Sequence, residues 1–487
     1  MTRRSCLYIL VALLLAFGPA AYGQNMSPNG RFPGRHFSVD DFGSAAQMWA
    51  GMHGTDGMVY FGNNNEILCY NGVDWKKVET DTRKTAKNIQ RYSKDTKVSS
   101  MFIASNDVMY VGRDNNFGYI AYSDSGVPRY YPLLAKEKGN AESFGSIWNI
   151  HELNNQELIF VGERALFTVT NNTAKKMTLP PGFTGFKSKT SARFGNGLLI
   201  VFSQEDAEGK KILKYLFIDI LTGKAKQLFL PGHIKVGNIR GSFEINGTWY
   251  VLDISGRFYS ARNVNGNLVW NTEKTTLFPE ISGLDPNFIY RHGDLLYQGT
   301  ETQGVVISDL NGIIQRRIDL YDELEDLNVY KLFHDREENL WLCLDNGIQL
   351  FETSSPITYF KKNEGITSVA ESIDFASGEL LLGLHSDIFR REIAGTHTKF
   401  VSTEVTSQFV FDVETFQTSQ GKKTLVIGYN GLYEYDKKAD STITIAAAYG
   451  LNFRQDPQNK DLVYLTMENG ISQLRLLPSG KWEYWSS

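Results

Sequence analysis

The chain runs to 487 residues, longer than one ordinary domain. Its 50 basic and 54 acidic residues leave a formal net charge of -4 and are mixed throughout. That excludes a basic nucleic-acid stripe and a polybasic lipid-binding stretch. With 13% aromatic residues, 44 Gly and only 13 Pro, the composition suits all-β structure with many tight turns.

The first residues read as a secretory signal over 1–23. Arg3 and Arg4 supply the charged region, Leu7 to Phe17 is an unbroken apolar run, and Ala21-Tyr22-Gly23 offers small residues before a cut at Gln24. The run is too short for a spanning helix, which needs about 20 apolar residues. Cys6 precedes the apolar run, so no lipoprotein pattern is present. The mature chain is therefore expected in the periplasm, with no membrane span beyond the signal peptide. Of the 3 Cys, Cys69 and Cys343 remain in the mature chain and read as small buried apolar residues rather than a disulfide.

After a polar linker, Asn25 to Pro33, the stretch His36-Phe37-Ser38-Val39 reads as an extra strand. About ten similar units follow, at intervals of very roughly 40 to 50 residues. The first is Met48-Trp49-Ala50-Gly51-Met52-His53-Gly54-Thr55-Asp56-Gly57-Met58-Val59-Tyr60-Phe61-Gly62 with Leu68-Cys69-Tyr70-Asn71-Gly72. The segment Asp81 to Lys97 breaks the pattern and reads as a charged insertion. The second unit carries Val108-Met109-Tyr110-Val111-Gly112, the third Leu158-Ile159-Phe160-Val161-Gly162. A fourth, less regular, has a charged hairpin tip at Glu205 to Lys211. The fifth holds Trp249-Tyr250-Val251-Leu252 and the sixth Leu295-Leu296-Tyr297-Gln298-Gly299. The seventh is Val329-Tyr330-Lys331-Leu332-Phe333-His334-Asp335, running on to Leu340-Trp341-Leu342-Cys343-Leu344. Three more centre on Leu380-Leu381-Leu382-Gly383, Leu425-Val426-Ile427-Gly428 and Leu462-Val463-Tyr464-Leu465.

Alternating apolar runs joined by Asp/Gly/Asn turns give each unit an apolar face on both sides. No such sheet buries its own faces, so several must stack radially. The Gly ending the second strand supplies either a positive φ or a close backbone approach. The predicted class is all-β: one seven-bladed β-propeller over 36–325 followed by a partial second propeller of about three blades over 326–487.

The units resemble the two-component regulator propeller repeats. The resemblance rests on Asp56-Gly57-Met58-Val59-Tyr60-Phe61-Gly62-Asn63-Asn64, on Asp335-Arg336-Glu337-Glu338-Asn339-Leu340-Trp341-Leu342, and on Gly428-Tyr429-Asn430-Gly431-Leu432-Tyr433. Phe117-Gly118-Tyr119 and Ile147-Trp148-Asn149-Ile150 add to it. Members of that family are exported sensor regions of hybrid two-component or membrane-bound transcriptional regulators. Two seven-bladed propellers there precede a triple-tyrosine domain, a membrane helix and an output domain. The resemblance implies sensing of an oligosaccharide across the inner membrane; the ligand is expected to shift the arrangement of propellers or of a homodimer. No triple-tyrosine, second membrane-helix or histidine kinase segment is found up to Ser487, so a truncated or split gene product is the expected reading.

Strong catalytic motifs are absent: no Gly-x-Ser-x-Gly, phosphate loop, His-Glu-x-x-His or Cys-x-x-Cys occurs, and the 8 His lack metal spacing. No catalytic residue, cofactor or metal is expected. His334-Asp335-Arg336 occupies a turn, and the carboxylate runs Asp322 to Asp326 and Glu337-Glu338 read as solvated blade edges. Binding residues are expected in the turns between second and third strands. These hold Asn63 and Asn64, Arg113 and Asn116, Glu163 and Arg164, Glu301, and Asp345, whose planar polar groups suit hydroxyl- or carboxylate-bearing sugars. The expected function is a non-catalytic, ligand-sensing propeller. The alternatives are a free-standing binding scaffold and a propeller polysaccharide lyase or glycosidase, which needs converging acid/base or Tyr/His groups.

Overall fold

A computed structural model describes residues 30–80, 96–134, 143–153, 156–264, 267–273, 276–376, 378–394 and 397–485. The expected signal peptide and residues 81–95 of the charged insertion lie outside the described residues. The described residues form ten sheets, each built on three or four antiparallel strands in chain order. We number the sheets 1 (48–77), 2 (98–132), 3 (147–176), 4 (187–228), 5 (239–270), 6 (286–318), 7 (329–351), 8 (370–402), 9 (410–446) and 10 (452–485). Glu79–Thr80 adds a short fifth strand, parallel to Pro128–Pro132, at the outer edge of sheet 2.

Two compact units result among the described residues: 32–357, and 358–485 together with Gly30 and Arg31. In the larger unit the first strands of consecutive sheets pack side by side from sheet 1 to sheet 7, and that of sheet 7 returns to sheet 1. The circuit is closed, and the architecture is a β-propeller. In the smaller unit the first strand of sheet 9 meets those of sheets 8 and 10.

The division differs from the expected boundary after residue 325. Sheet 7 belongs with the larger unit because its fourth strand comes from the other end of that unit: Gly34–Phe37 pairs antiparallel with Gly347–Phe351. The expected extra strand is thus the closing strand of the ring, and it begins and ends two residues earlier than read. Ser38 accepts a hydrogen bond from the Asp40 amide and caps a helical turn, Val39–Phe42, in a capping box with Asp41.

The core lies between sheets. Tyr60, Ile67 and Cys69 pack toward Val98, Met109, Val111 and Tyr130 of sheet 2. Their sequence neighbours Phe61, Leu68 and Tyr70 point the other way, onto Phe37, Trp341, Cys343 and Ile348 of sheet 7. Both faces are buried, hence the unbroken apolar run Val59-Tyr60-Phe61. Cys69 and Cys343 are buried and free.

Gly62 and Gly112 serve close approach, since neither has a positive φ. A Cβ on Gly62 would lie 2.4 Å from Val98 Cγ1, and one on Gly112 2.6 Å from Ile147 Cγ2. Each glycine lets the first strand of the next sheet come close. The Asp turns are also structural. Asp335 accepts from the Glu337 and Asn339 amides and from Trp341 Nε1 (2.8 Å), as Asp56 does from the Met58 amide and the Tyr60 hydroxyl.

One carboxylate expected at a solvated edge is not there. Asp322 is buried and pairs with Arg316 at 3.0 Å. Likewise Arg31, read as part of a polar linker, is buried against Glu364 within the smaller unit, with Nε 2.9 Å from Oε1.

Candidate ligand site at the mouth of the ring

The first strand of every sheet in the larger unit carries a β-bulge near its start, one residue in, or two in sheet 4. The register skips Trp49, Ser99, Trp148, Lys189, Arg240, Asn287 and Tyr330. A bulge leaves one residue unpaired and re-aims its side chain. Trp49, Ser99, Trp148, Arg240, Asn287 and Tyr330 thereby stand at one level of the ring and form a collar around its central channel.

Three of them are large aromatics, and they meet. The Trp49 ring lies 4.6 Å from Tyr330 and 6.2 Å from Trp148, centroid to centroid. Sheets 1 and 3 are not neighbours in the circuit, so Trp49 and Trp148 touch across the mouth of the channel. Lys97, leading into sheet 2, places Nζ 4.9 Å from the Trp49 centroid and 4.1 Å from that of Trp148, a cation–π arrangement.

Each aromatic donates a hydrogen bond to the polar residue 15 positions later, in the turn between second and third strands. Trp49 Nε1 donates to Asn64 Oδ1 (2.7 Å), Trp148 Nε1 to Glu163 Oε1 (3.1 Å) and the Tyr330 hydroxyl to Asp345 Oδ1 (3.1 Å). The contacts continue around the rim. Asn64 Nδ2 donates to Gln47 Oε1, Gln47 Nε2 to Tyr330 Oη and Asp345, Asn328 Nδ2 to Tyr330 Oη, and Asn287 Nδ2 to Asn328 Oδ1. All three rings are only half-buried. Burial raises the Tyr330 pKa, keeping it a neutral phenol. Amphipathic rings locked by hydrogen bonds at one end, beside amides and carboxylates, are the usual lining of a polar-ligand site.

The expected turn residues divide into two groups. Asn64, Glu163 and Asp345 belong to this rim as partners of the aromatics. Asn63 is fully buried and braces its own turn through Ser44, Ala45 and the Asn65 and Glu66 amides. Arg113 is buried, its Nη2 donating to the Asn65 and Thr96 carbonyls. Asn116 is buried and bonds the Phe117 amide. Arg164 is exposed and donates to the Ser143 carbonyl. Glu301 is exposed at the turn of sheet 6, where its charge acts on Arg240. Sequence reasoning missed Trp49, Trp148, Tyr330 and Lys97. The signal was the recurrence of an aromatic after a buried apolar residue, 15 positions before a turn Asn, Glu or Asp.

Further along the same strands the channel carries a second set. Lys331, next after the Tyr330 bulge, holds Nζ 3.5 Å over the Phe288 ring. His151 shares a hydrogen bond of 2.8 Å with Ser191 Oγ. Its pKa is pushed down to about 4 by burial and by the charges of Lys331 and Arg193. Sheets 3 and 7 are also non-adjacent, so Lys331 acts on His151 through the interior of the ring.

Near the opposite ends of the strands, Tyr290 and His334 share a hydrogen bond, and His292 stacks on His334 at 4.1 Å while bonding Glu338. No group of three or more metal-ligating side chains occurs among the described residues. None of their helices is long and apolar enough to cross a membrane.

No protein-family model matches this sequence, and no curated protein matches it. Among solved structures the chain is similar to the extracellular domain of a hybrid two-component system from B. thetaiotaomicron. The identity is 15% and the TM-score 0.65, covering 94% of this chain and 60% of that one. It is also similar to the extracellular domain of a one-component system from the same organism, at 14% identity and TM-score 0.47, over 92% of this chain and 59% of that one. Virginiamycin B lyase from Staphylococcus aureus is similar at 14% identity and TM-score 0.45, over 66% of this chain and 98% of the lyase. The first likeness shows a shared fold. This chain spans about three-fifths of the length of the two extracellular domains.

Proposed function

We propose that the seven-sheet unit is the ligand-receiving part of an exported, periplasmic sensor of a two-component or one-component regulator. The ligand is a carbohydrate fragment held at the mouth of the ring, without chemical turnover. One observation carries this reading: Trp49, Trp148 and Tyr330 converge over the channel, each oriented by Asn64, Glu163 or Asp345. A sugar offers an apolar C–H face and a fringe of hydroxyls. Aromatic rings flanked by amides and carboxylates complement both. The fold shared with an extracellular domain of a regulator supports the sensor role.

The Tyr290–His334 pair is the arrangement that favours a lyase. Its electrostatics run against that use. Burial, Tyr297 and Glu338 all raise the Tyr290 pKa, whereas a tyrosine acting as base needs a lowered one. Burial and His292 push His334 down to about 4. A sensor needs only that ligand binding shift an equilibrium between arrangements, for instance of a homodimer.

The test is a panel of plant and host oligosaccharides titrated into the full chain, followed by calorimetry and tryptophan emission. A bound member should perturb the emission, and Trp49→Ala and Trp148→Ala should each weaken it at least tenfold with little change in the unfolding midpoint. Unchanged affinity in both variants, or silence across the panel, would overturn the reading.

A further inference from the structure

The aromatic rim covers a channel whose charges are unbalanced. Lys331 points its ammonium onto the face of Phe288, 3.5 Å away, and makes no hydrogen bond or ion pair among the described residues. The residue paired with it across the hairpin is Cys343, a buried free thiol. The side chain it acts on through the ring is also basic, His151, on which Arg193 of the first strand of sheet 4 acts as well. At the collar itself Arg240 is half-buried, and its Nε is enclosed without a hydrogen-bond partner among the described residues. Among the described residues no carboxylate pairs with Lys331. A cation withdrawn from water is costly unless paired.

We propose that the channel beneath the rim binds an oxyanion group of the ligand, a carboxylate or a sulfate, with Lys331 Nζ as its counter-ion. The inference rests on the reading of the rim as the ligand-receiving face, and it narrows the carbohydrate to an acidic one. A sugar ring against Trp49 and Trp148 would direct a charged substituent down the axis toward Lys331. There an incoming anion would meet one ammonium in a poorly hydrated setting, where charge pairing is strong.

Two features of the site fit. Burial lowers the Lys331 pKa to about 8, and among the described residues only the Cys343 thiol acts against that. An anion arriving beside it would restore the proton.

The experiment titrates Lys331 in the full chain by ¹³C reductive methylation, with Lys331→Arg identifying its resonance. Sodium sulfate, D-glucuronate and D-glucose are the probes. Sulfate and glucuronate should move the Lys331 titration upward by about one unit, and glucose should leave it in place. Lys331→Met keeps the contact with Phe288 and should lose glucuronate affinity at least tenfold, while Lys331→Arg keeps it within about threefold. An unmoved titration, or full glucuronate affinity in Lys331→Met, would overturn the proposal. Binding of neutral oligosaccharides with no effect of either anion would remove the anion site and leave the rim reading intact. A shifted Lys331 titration with no response at Trp49 and Trp148 would support the anion site and count against the rim.

Discussion

The seven-sheet and three-sheet units are built from the same strand pattern yet treat it differently. In sheet 1 the adjacent residues Tyr60 and Phe61 are 1% and 0% exposed, because sheets 2 and 7 cover its two faces. In sheet 8, Leu381 is fully buried toward sheet 9. Along the neighbouring strands of that sheet, Ile373 and Phe375 are 69% and 65% exposed, with Ile393 and Val401 exposed as well. A propeller sheet is therefore not an independent structure. Its alternation is a demand for two neighbours, and only a closed circuit meets that demand everywhere.

The sharpest way to break this contrast is to open the circuit. Phe37 on the closing strand is 1% exposed, stacks on Trp341 at 5.9 Å and meets Tyr70 and Trp75 at 5.2 Å. Phe37→Ala removes a ring from the junction of sheets 1 and 7, and losses of this kind cost about 3–5 kcal/mol. Thermal unfolding with hydrogen exchange resolved by segment should show the larger unit destabilised by that amount. Residues 358–485 should exchange as before. Equal loss in both units would show that closure is not local to the ring.

Much of this architecture is legible in sequence. The paired runs, the Asp turns and the glycine ending the second strand each repeat, and each does a local job that residue chemistry alone dictates. Closure was less legible, since Gly34–Phe37 must find a partner about 310 residues away, and a four-residue strand carries no sign of its mate. The candidate site was half legible. Asn64 and Glu163 stand out as turn residues, but Arg113 and Asn116 look the same and are spent on backbone contacts. What separates them is the bulge at Trp49 and Trp148. A bulge is a property of strand pairing, invisible until register is known.

Acidity should sharpen the comparison, because two histidines of the larger unit and one glutamate of the smaller titrate in opposite senses. His151 and His334 of the larger unit both fall to about 4, mainly through burial. Between about pH 6.5 and 4 the unfolded chain binds protons there that the folded unit does not, so acidification favours unfolding. In the smaller unit burial, with Asp412 and Asp374, raises Glu414 to about 7. The folded unit holds that proton between about pH 7 and 4.3 while the unfolded chain has released it, so acidification stabilises. Asp322 in the larger unit is raised and Asp387 in the smaller is lowered, so single variants carry the test better than whole profiles. Stability at pH 7 and pH 5 should be measured for each unit. His151→Gln should reduce the acid loss of the larger unit, and Glu414→Gln the acid gain of the smaller, each by about 1–2 kcal/mol after allowance for solvent. Unchanged slopes would mean that these groups are better hydrated than their surroundings imply.

The smallest effect is expected where the exposed face is altered. Ile373 and Phe375 cover little in the smaller unit, so Ile373→Ser and Phe375→Ser remove side chains that already stand in water. Their unfolding free energies should stay within about 0.5 kcal/mol of the parent chain. An apolar sheet face in water is nonetheless an association hazard. Binding of a hydrophobic dye and light scattering on warming should therefore fall in the double variant while the unfolding midpoint holds. The matched change on a covered face, Phe61→Ala, should cost several kcal/mol. If Phe375→Ser proved as damaging as Phe61→Ala, sheet 8 would have to be covered in solution, and the difference between the two units would lie in what each is given to pack against.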